Sequence, residues 1–363
     1  MNVPDPLHTS LCDLLGIDHP IVAFTHDLAV VQAVALAGCL PVYGATRRTP
    51  EEIGADIERI REGIGARPFG VDLVLPSGMP ERNDRAAIEA QIPREHVAFV
   101  EEIKRDYAIP SPQRAGARSR FVRSTEVARR QIEVVLDAAP PLLACGLGSP
   151  AEVVTEAKAR GMRVASLVGS VKHARRAVAA GADLIVAQGY DAGAHTGEIG
   201  TFSLVPQVVT AAAPVPVLAA GGVVSGRHLA AALCLGAVGV WSGTLWLTAV
   251  ESHVDPVIKA KLLTAGAEDT VRTRAVSGKP NRQIRTAWTQ LWDDPGTPNP
   301  LPMPYHDILV GDTLTAIQDH RVEALWGSAA GQGIGLIAEE RGVAETVQAM
   351  VAEAREALAA VTV

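Results

Sequence analysis

Three short stretches hold the residue types that chemistry needs. The first is Gln188-Gly189-Tyr190-Asp191-Ala192-Gly193-Ala194-His195-Thr196-Gly197. Its closely spaced glycines permit a compact loop, and His195 is its one side chain whose ordinary pKa suits proton transfer near neutrality. The second is Ala219-Ala220-Gly221-Gly222-Val223-Val224-Ser225-Gly226. Adjacent glycines let a ligand approach the backbone and expose N–H groups, and a helix starting at Gly226 would add its positive end, so both features favour a phosphate. The third, Ser242-Gly243-Thr244, supplies another close-approach glycine and a hydroxyl donor. Either glycine loop alone is equally well explained as a tight strand-to-helix turn. Likewise a lone loop histidine is more often a bystander than a catalyst. For His26 two readings stay open, a residue facing the same site or a surface histidine near a helix start.

The elements that must position these stretches alternate regularly. Apolar strand-like runs at 20–25, 40–43, 69–75, 141–145, 163–168, 183–188, 215–219 and 237–241 are each followed by a helical stretch. These helices include 28–36, 125–138, 170–180, 204–212 and 226–235, with further starts at Thr49-Pro50-Glu51-Glu52 and Ser149-Pro150-Ala151-Glu152. Strand-then-helix repetition demands right-handed parallel crossovers, and eight units are the number that closes a (β/α)8 TIM barrel. A doubly wound open sheet is the rival, but it rarely runs through eight units without a change of pattern. In a barrel, ligands sit at the C-terminal ends of the strands. The loops after strands seven and eight then form one phosphate site, with His195 beside it after strand six. Two glycine loops in these places favour phosphate binding over mere turns.

The rhythm breaks at 76–123, a charged and proline-rich insertion after strand three with one helix at 94–106, read as an excursion over that strand's exit rather than as core. The barrel is expected over 1–250, and 251–363 as a helical cap or subdomain with helices at 255–263, 313–325 and 344–359 around the proline-rich tract 293–304. Trp288 and Trp292 read as exposed, either at a subunit interface or packed on the barrel.

Composition narrows the function. The 363 residues include 48% hydrophobic, 20% charged and only 4% aromatic positions, ample for a large core of closely packed helices on strands. A net charge of -7 argues against a general nucleic-acid or membrane-surface binder. Cys12, Cys39, Cys145 and Cys234 lack CxxC spacing and read as reduced core thiols, with no metal site expected. The polar stretch 1–10 is not a secretory leader, and no apolar run reaches membrane length, so a cytoplasmic protein is the default expectation.

The stretches 180–189 and 191–197, together with 216–223 and 236–244, resemble the nitronate monooxygenases (2-nitropropane dioxygenases), which are FMN-dependent barrels. Weaker likeness at His19-Pro20-Ile21-Val22, Pro68-Phe69-Gly70-Val71-Asp72-Leu73, Ser277-Gly278-Lys279-Pro280-Asn281-Arg282 and Gly331-Gln332-Gly333 extends the resemblance over most of the chain. It implies FMN across the barrel mouth, with its phosphate on Gly221, Gly222, Gly243 and Thr244. Gln188, Gly193, Ala194, Ala23, Phe24 and Asp72 would line the flavin. His195 matches the family's catalytic histidine, acting on the substrate's acidic carbon or steadying its anion. The implied reaction oxidises alkyl nitronates with O2 to a carbonyl compound and nitrite.

Four departures stand out. Ala23-Phe24-Thr25-His26 replaces a run with a methionine, and Gly38-Cys39-Leu40-Pro41 replaces Gly-Gly-Leu-Gly. Asp72 stands where asparagine is common, and Gly193-Ala194-His195 replaces Gly-Gly-His. A carboxylate at 72 would make the flavin harder to reduce and repel an anionic substrate unless it is protonated or paired. Three alternatives follow. An FMN enzyme could use NAD(P)H to reduce a quinone or an enoyl thioester, although no GxGxxG fingerprint is present. A barrel could bind a phosphorylated ligand without redox chemistry. An inosine-monophosphate-dehydrogenase type would need a cysteine nucleophile, for which only Cys145 is positioned, and it reads as a core thiol. A small-molecule substrate with O2 or NAD(P)H as partner is expected, and a homo-oligomer is left open.

Overall fold

Eight parallel strands close on themselves in the computed structural model, which describes residues 5–75, 78–116 and 118–361. The start of the polar stretch 1–10 and parts of the excursion 76–123 (residues 1–4, 76–77 and 117) lie outside the described residues. The strands are β1 (Ile21–Thr25), β2 (Leu40–Gly44), β3 (Gly70–Val74), β4 (Leu142–Gly146), β5 (Arg163–Val168), β6 (Leu184–Gln188), β8 (Val217–Ala220) and β9 (Gly239–Ser242), and β9 pairs back onto β1. β7 (Ala194–His195), β10 (Thr270–Thr273) and β11 (Asn281–Ile284) form a separate antiparallel sheet in the order β10-β11-β7. The eight expected strands are the eight barrel strands, with ends displaced by one or two residues. The expected (β/α)8 fold is the observed one.

The period of two along each strand builds two layers. From β1, Val22 and Phe24 point inward with Val42, Leu142, Val186 and Trp241. Ile21 and Ala23 point outward against Val30 and Val34 of the following helix. Thr49 starts the helix Pro50–Ile64 with a full capping box to Glu52 and Pro at the first turn, as its sequence predicts.

Several expectations need correcting. The helix expected at 313–325 is Tyr305–Asp319; its first turns turn polar residues inward, His306 and Asp307 both being buried, so apolar periodicity does not mark its start. The excursion contributes to a core after all: Val100, Ile103 and Ile109 join Trp288, Trp292, Val310 and Ile317 in a third apolar cluster. Trp288 and Trp292 are therefore buried, at 1% and 3% exposure. Trp288 Nε1 donates to the Ala275 carbonyl (3.0 Å), and Trp292 meets Phe99 and His306 edge-on at 4.9 and 4.7 Å. Cys12, Cys39 and Cys145 are buried free thiols, but Cys234 is exposed. Among the described residues no helix is long and apolar enough to cross a membrane, and no cluster of ligating side chains could hold a metal ion.

Candidate active site

A cavity of about 1920 Å³ opens at the C-terminal ends of the barrel strands. Phe24, Asp72, Gln188, Gly193, Ala194, His195, Gly221, Gly222, Gly243 and Thr244 all line it, so the structure brings together ten of the eleven residues singled out from the sequence. The eleventh, Ala23, does not line it; strand alternation turns its side chain into the outer layer. Phe24 occupies the mouth instead, stacked on Trp241 at 6.0 Å and edge-on to His26 at 5.1 Å.

The turn after β8 has the geometry a phosphate needs. Gly221 and Gly222 take φ values of +106° and +72°, and a Cβ on Gly221 would come within 2.5 Å of Thr201 Oγ1. Among the described residues, the backbone N–H groups of Gly221, Gly222 and Gly243 donate to no protein acceptor. Thr244 Oγ1 accepts the Gly331 N–H (2.9 Å), which leaves its own proton free. Gly333 packs directly on the Gly222 carbonyl, so residues 331–333 brace the turn from outside the barrel.

One expected contribution is redirected. The helix Gly226–Cys234 does begin where predicted, but the Gly226 N–H donates to Glu353 Oε2 at 2.7 Å. Its positive end is thus met by a carboxylate from the helix Val343–Val361, and a phosphate would depend on the glycine amides and Thr244. Nothing local in the sequence marks Glu353, because its partner lies 127 residues away.

The loop after β6 holds His195 from three directions. Gln188 Nε2 donates to the His195 carbonyl (3.0 Å), β7 pairs His195 with Asn281 of β11, and His195 Nε2 lies 2.9 Å from Ser277 Oγ. Ala194 sits at φ +60°, a left-handed conformation that costs a non-glycine residue about 1–2 kcal/mol. Burial, then the charges of Arg123, Arg118, Arg47 and Lys279, push the His195 pKa down to about 3. The ring is therefore neutral near pH 7.

His26 lines the cavity and is also solvent-exposed, one residue before the Asp27 N-cap, so both of its readings describe it. Its Nδ1 lies 2.6 Å from the Gly44 carbonyl, which can only accept, so Nδ1 carries the proton and Nε2 the lone pair. Asp72 is buried on β3, its Oδ1 without a partner among the described residues, and burial pushes its pKa up to about 7 against the pull of Arg123. Cys145 lies outside the cavity lining, its thiol pushed up to about 12 by burial and then by Asp72, which removes it as a nucleophile. Ser277 and the cations Arg47, Arg118, Arg123 and Lys279 were not singled out from the sequence. Only the likeness at 277–282 pointed toward any of them.

A family model described as nitronate monooxygenase matches residues 8–353. The Mycobacterium tuberculosis protein Rv1533, which bears a monooxygenase name, is 43% identical over 316 residues, covering 84% of each chain. A carboxyl-CoA dehydrogenase of the same organism, named for a hydroxy-methyl-oxo-octahydroindene substrate, is 33% identical over 286 residues, 77% of this chain and 67% of its own length. The solved structure of a nitroalkane oxidase from Streptomyces ansochromogenes superposes with a TM-score of 0.80 at 29% identity, covering 97% of this chain and 99% of its own. With a family match over nearly its whole length and the same barrel beneath it, the chain belongs to the nitronate monooxygenase family and is a flavin-dependent oxidoreductase.

Proposed function

We propose that the protein binds FMN and oxidises alkyl nitronates, with O2 as second substrate, to a carbonyl compound and nitrite. The observation that carries this reading is His195 lining the barrel mouth, its ring fixed by Ser277 and its backbone by Gln188. A nitronate is already an anion, so it needs a positive field and a hydrogen-bonding partner rather than a base. His195 offers both.

The residues present fit FMN. Three partnerless glycine amides and the Thr244 hydroxyl suit a terminal phosphate, and Phe24, Gln188, Gly193 and Ala194 surround space for a flat ring. Ligand sites commonly occupy about 300–1,000 Å³, so a cavity near 1920 Å³ leaves room for substrate beside the cofactor. Bound FMN supplies electron acceptance from the substrate and delivery to O2. The chain's own residues do the rest. Ser277 orients the His195 ring, Gln188 fixes its backbone, and His195 hydrogen-bonds the nitronate. Asp72, half-protonated near neutrality, withholds about half of the repulsion that a fixed carboxylate would exert.

A second reading, NAD(P)H-dependent reduction of an enoyl thioester, is favoured by one feature. The cavity continues along an apolar wall of Leu75, Met79, Ile132, Leu136, Leu147 and Val153, which suits an acyl chain. The carboxyl-CoA dehydrogenase relative points the same way. An absorption spectrum followed by anaerobic addition of propionate 3-nitronate, NADH or NADPH separates the readings. Bleaching by nitronate alone, weakened in His195→Ala, supports the monooxygenase. Bleaching by nicotinamide alone moves the protein to the reductases, and failure to bind FMN even on reconstitution overturns both.

A further inference from the structure

We propose that the cleft between the helices Thr125–Ala138 and Ala151–Ala159, entered from the barrel mouth past Leu147, holds an uncharged aliphatic tail of the substrate and selects for its length. The inference deepens the proposed function and rests on it only in placing the reacting carbon at His195.

The cleft is continuous with the site across the ends of neighbouring strands. His195, Gly197 and Gly169 line one cavity, and a Cβ on Gly169 would come within 3.5 Å of Gly197, so the loops after β5 and β6 meet. Gly146 at the end of β4 follows. A Cβ there would stand 3.2 Å from Val74, and its absence leaves that space to the cavity. Beyond Gly146 the lining leaves the strand ring and passes between the helices.

Helical spacing makes a groove of that lining. Thr125, Ala128, Ile132 and Leu136 recur at intervals of three or four, so one helix face borders the cavity from 125 to 136, about 16 Å at the usual rise. Val153 borders it from the next helix and Met79 from the start of the excursion. The space exists because Thr125–Ala138 packs closely on Pro50–Ile64 but only loosely on Ala151–Ala159. Ile132, Val153 and Met79 are left half-buried, with apolar surface that an aliphatic chain would take from water.

Leu147 is the second, independent observation. It lines the cavity 39% exposed, at φ +58°, a left-handed backbone that disfavours a side chain. Gly148 beside it, at φ +153°, lies so near the Leu75 carbonyl that a Cβ would meet it at 2.5 Å, which pins the turn. A large apolar side chain held out by an unfavourable backbone, where mouth and cleft join, fits an apolar ligand passing over it. The rim offers an anion little. Arg129 pairs with Glu133 at 3.7 Å, and Glu152 and Glu156 line the cavity with Arg176. An ionised tail would leave water for an apolar floor without a partner, whereas an uncharged one gains from each methylene it buries.

Isothermal titration of the flavin-loaded protein with n-butanol, n-hexanol and n-octanol tests the cleft without turnover. Affinity should rise about two- to fourfold per methylene, so n-octanol should bind at least about tenfold more tightly than n-butanol. Ile132→Glu should weaken n-octanol about tenfold by placing a carboxylate on the floor. Leu147→Gly should weaken it about threefold, with a melting temperature level or raised because the left-handed backbone suits glycine. In turnover, the kcat/KM of octyl nitronate over propyl nitronate should be about tenfold or more, and Ile132→Glu should lower that ratio. Equal affinity for the three alcohols, or a chain-length gain that survives in both variants, would overturn the proposal. If Ile132→Glu does not fold, Leu147→Gly decides alone. A gain that the variants abolish in an enzyme inert to nitronates sinks the nitronate reading and leaves the cleft standing. Nitronate turnover indifferent to tail length, with no gain among the alcohols, does the reverse.

Discussion

Replacing Asp72 by asparagine should make the flavin-free protein more stable in alkaline solution and leave it nearly unchanged in acid. In the unfolded chain this carboxyl loses its proton near 3.8, but burial in the native state raises that value to about 7. Between the two the folded protein binds more protons than the unfolded one, so stability falls as pH rises and the full penalty is present above about pH 7. Three units at about 1.4 kcal/mol each make that penalty about 4 kcal/mol. His195 acts in the opposite direction. Its pKa falls from 6.5 to about 3 on folding, so its contribution is complete above about 6.5 and is lost as pH drops toward 3. In the wild type the two slopes offset each other between about pH 4 and 6.5. In Asp72→Asn the His195 slope should stand alone. Urea unfolding at about pH 5, 6.5 and 8 reads this directly: the variant should gain up to about 4 kcal/mol over wild type at pH 8. Parallel pH profiles for the two proteins would refute the assignment of a proton-holding Asp72.

Other outcomes follow from single contacts. Ser277→Ala removes the hydroxyl 2.9 Å from His195 Nε2 and should lower kcat about tenfold with flavin content unchanged, as steady-state kinetics and the flavin spectrum would record. Gly221→Ala forces a side chain into φ +106° and onto Thr201; it should cost about 1–3 kcal/mol and release the flavin on gel filtration. Glu353→Gln keeps the shape but weakens the bond to the Gly226 N–H and removes the charge paired with Arg227 (3.1 Å). A loss of about 1 kcal/mol in urea unfolding, smaller in high salt, is expected.

The barrel was legible because its strands are short apolar runs whose burial sets their pattern, and because Thr49-Pro50-Glu51-Glu52 carries its own helix start. The glycine turns were legible for a related reason, since adjacent glycines after a strand have few other uses. The small antiparallel sheet was not. β11 is Asn281-Arg282-Gln283-Ile284, polar in sequence yet fully buried, with Arg282 donating to the Tyr190 carbonyl and Thr270 Oγ1 and lying over the Tyr190 ring. A polar run satisfied by distant partners gives no periodic signal. The same holds for Trp288 and Trp292, whose cover comes from the excursion and from the helix Tyr305–Asp319. The electrostatic surroundings of His195 were not legible from residue type, because the charges that depress its pKa lie 72 to 148 positions away in sequence.

The brace formed by 331–333 and Glu353 sets an order of events during synthesis. All eight barrel strands have emerged from the ribosome once Ser242 is clear, yet the Gly221-Gly222 turn is still missing both the loop that presses on Gly222 and the carboxylate that anchors Gly226. A nascent barrel must wait through roughly another hundred residues before its cradle is finished, several seconds at the usual pace of about 5–20 residues per second. Completion of that turn is thereby tied to a late stage of translation, and a chain interrupted between strand β9 and residue 331 would hold a barrel whose Gly221-Gly222 turn lacks both braces.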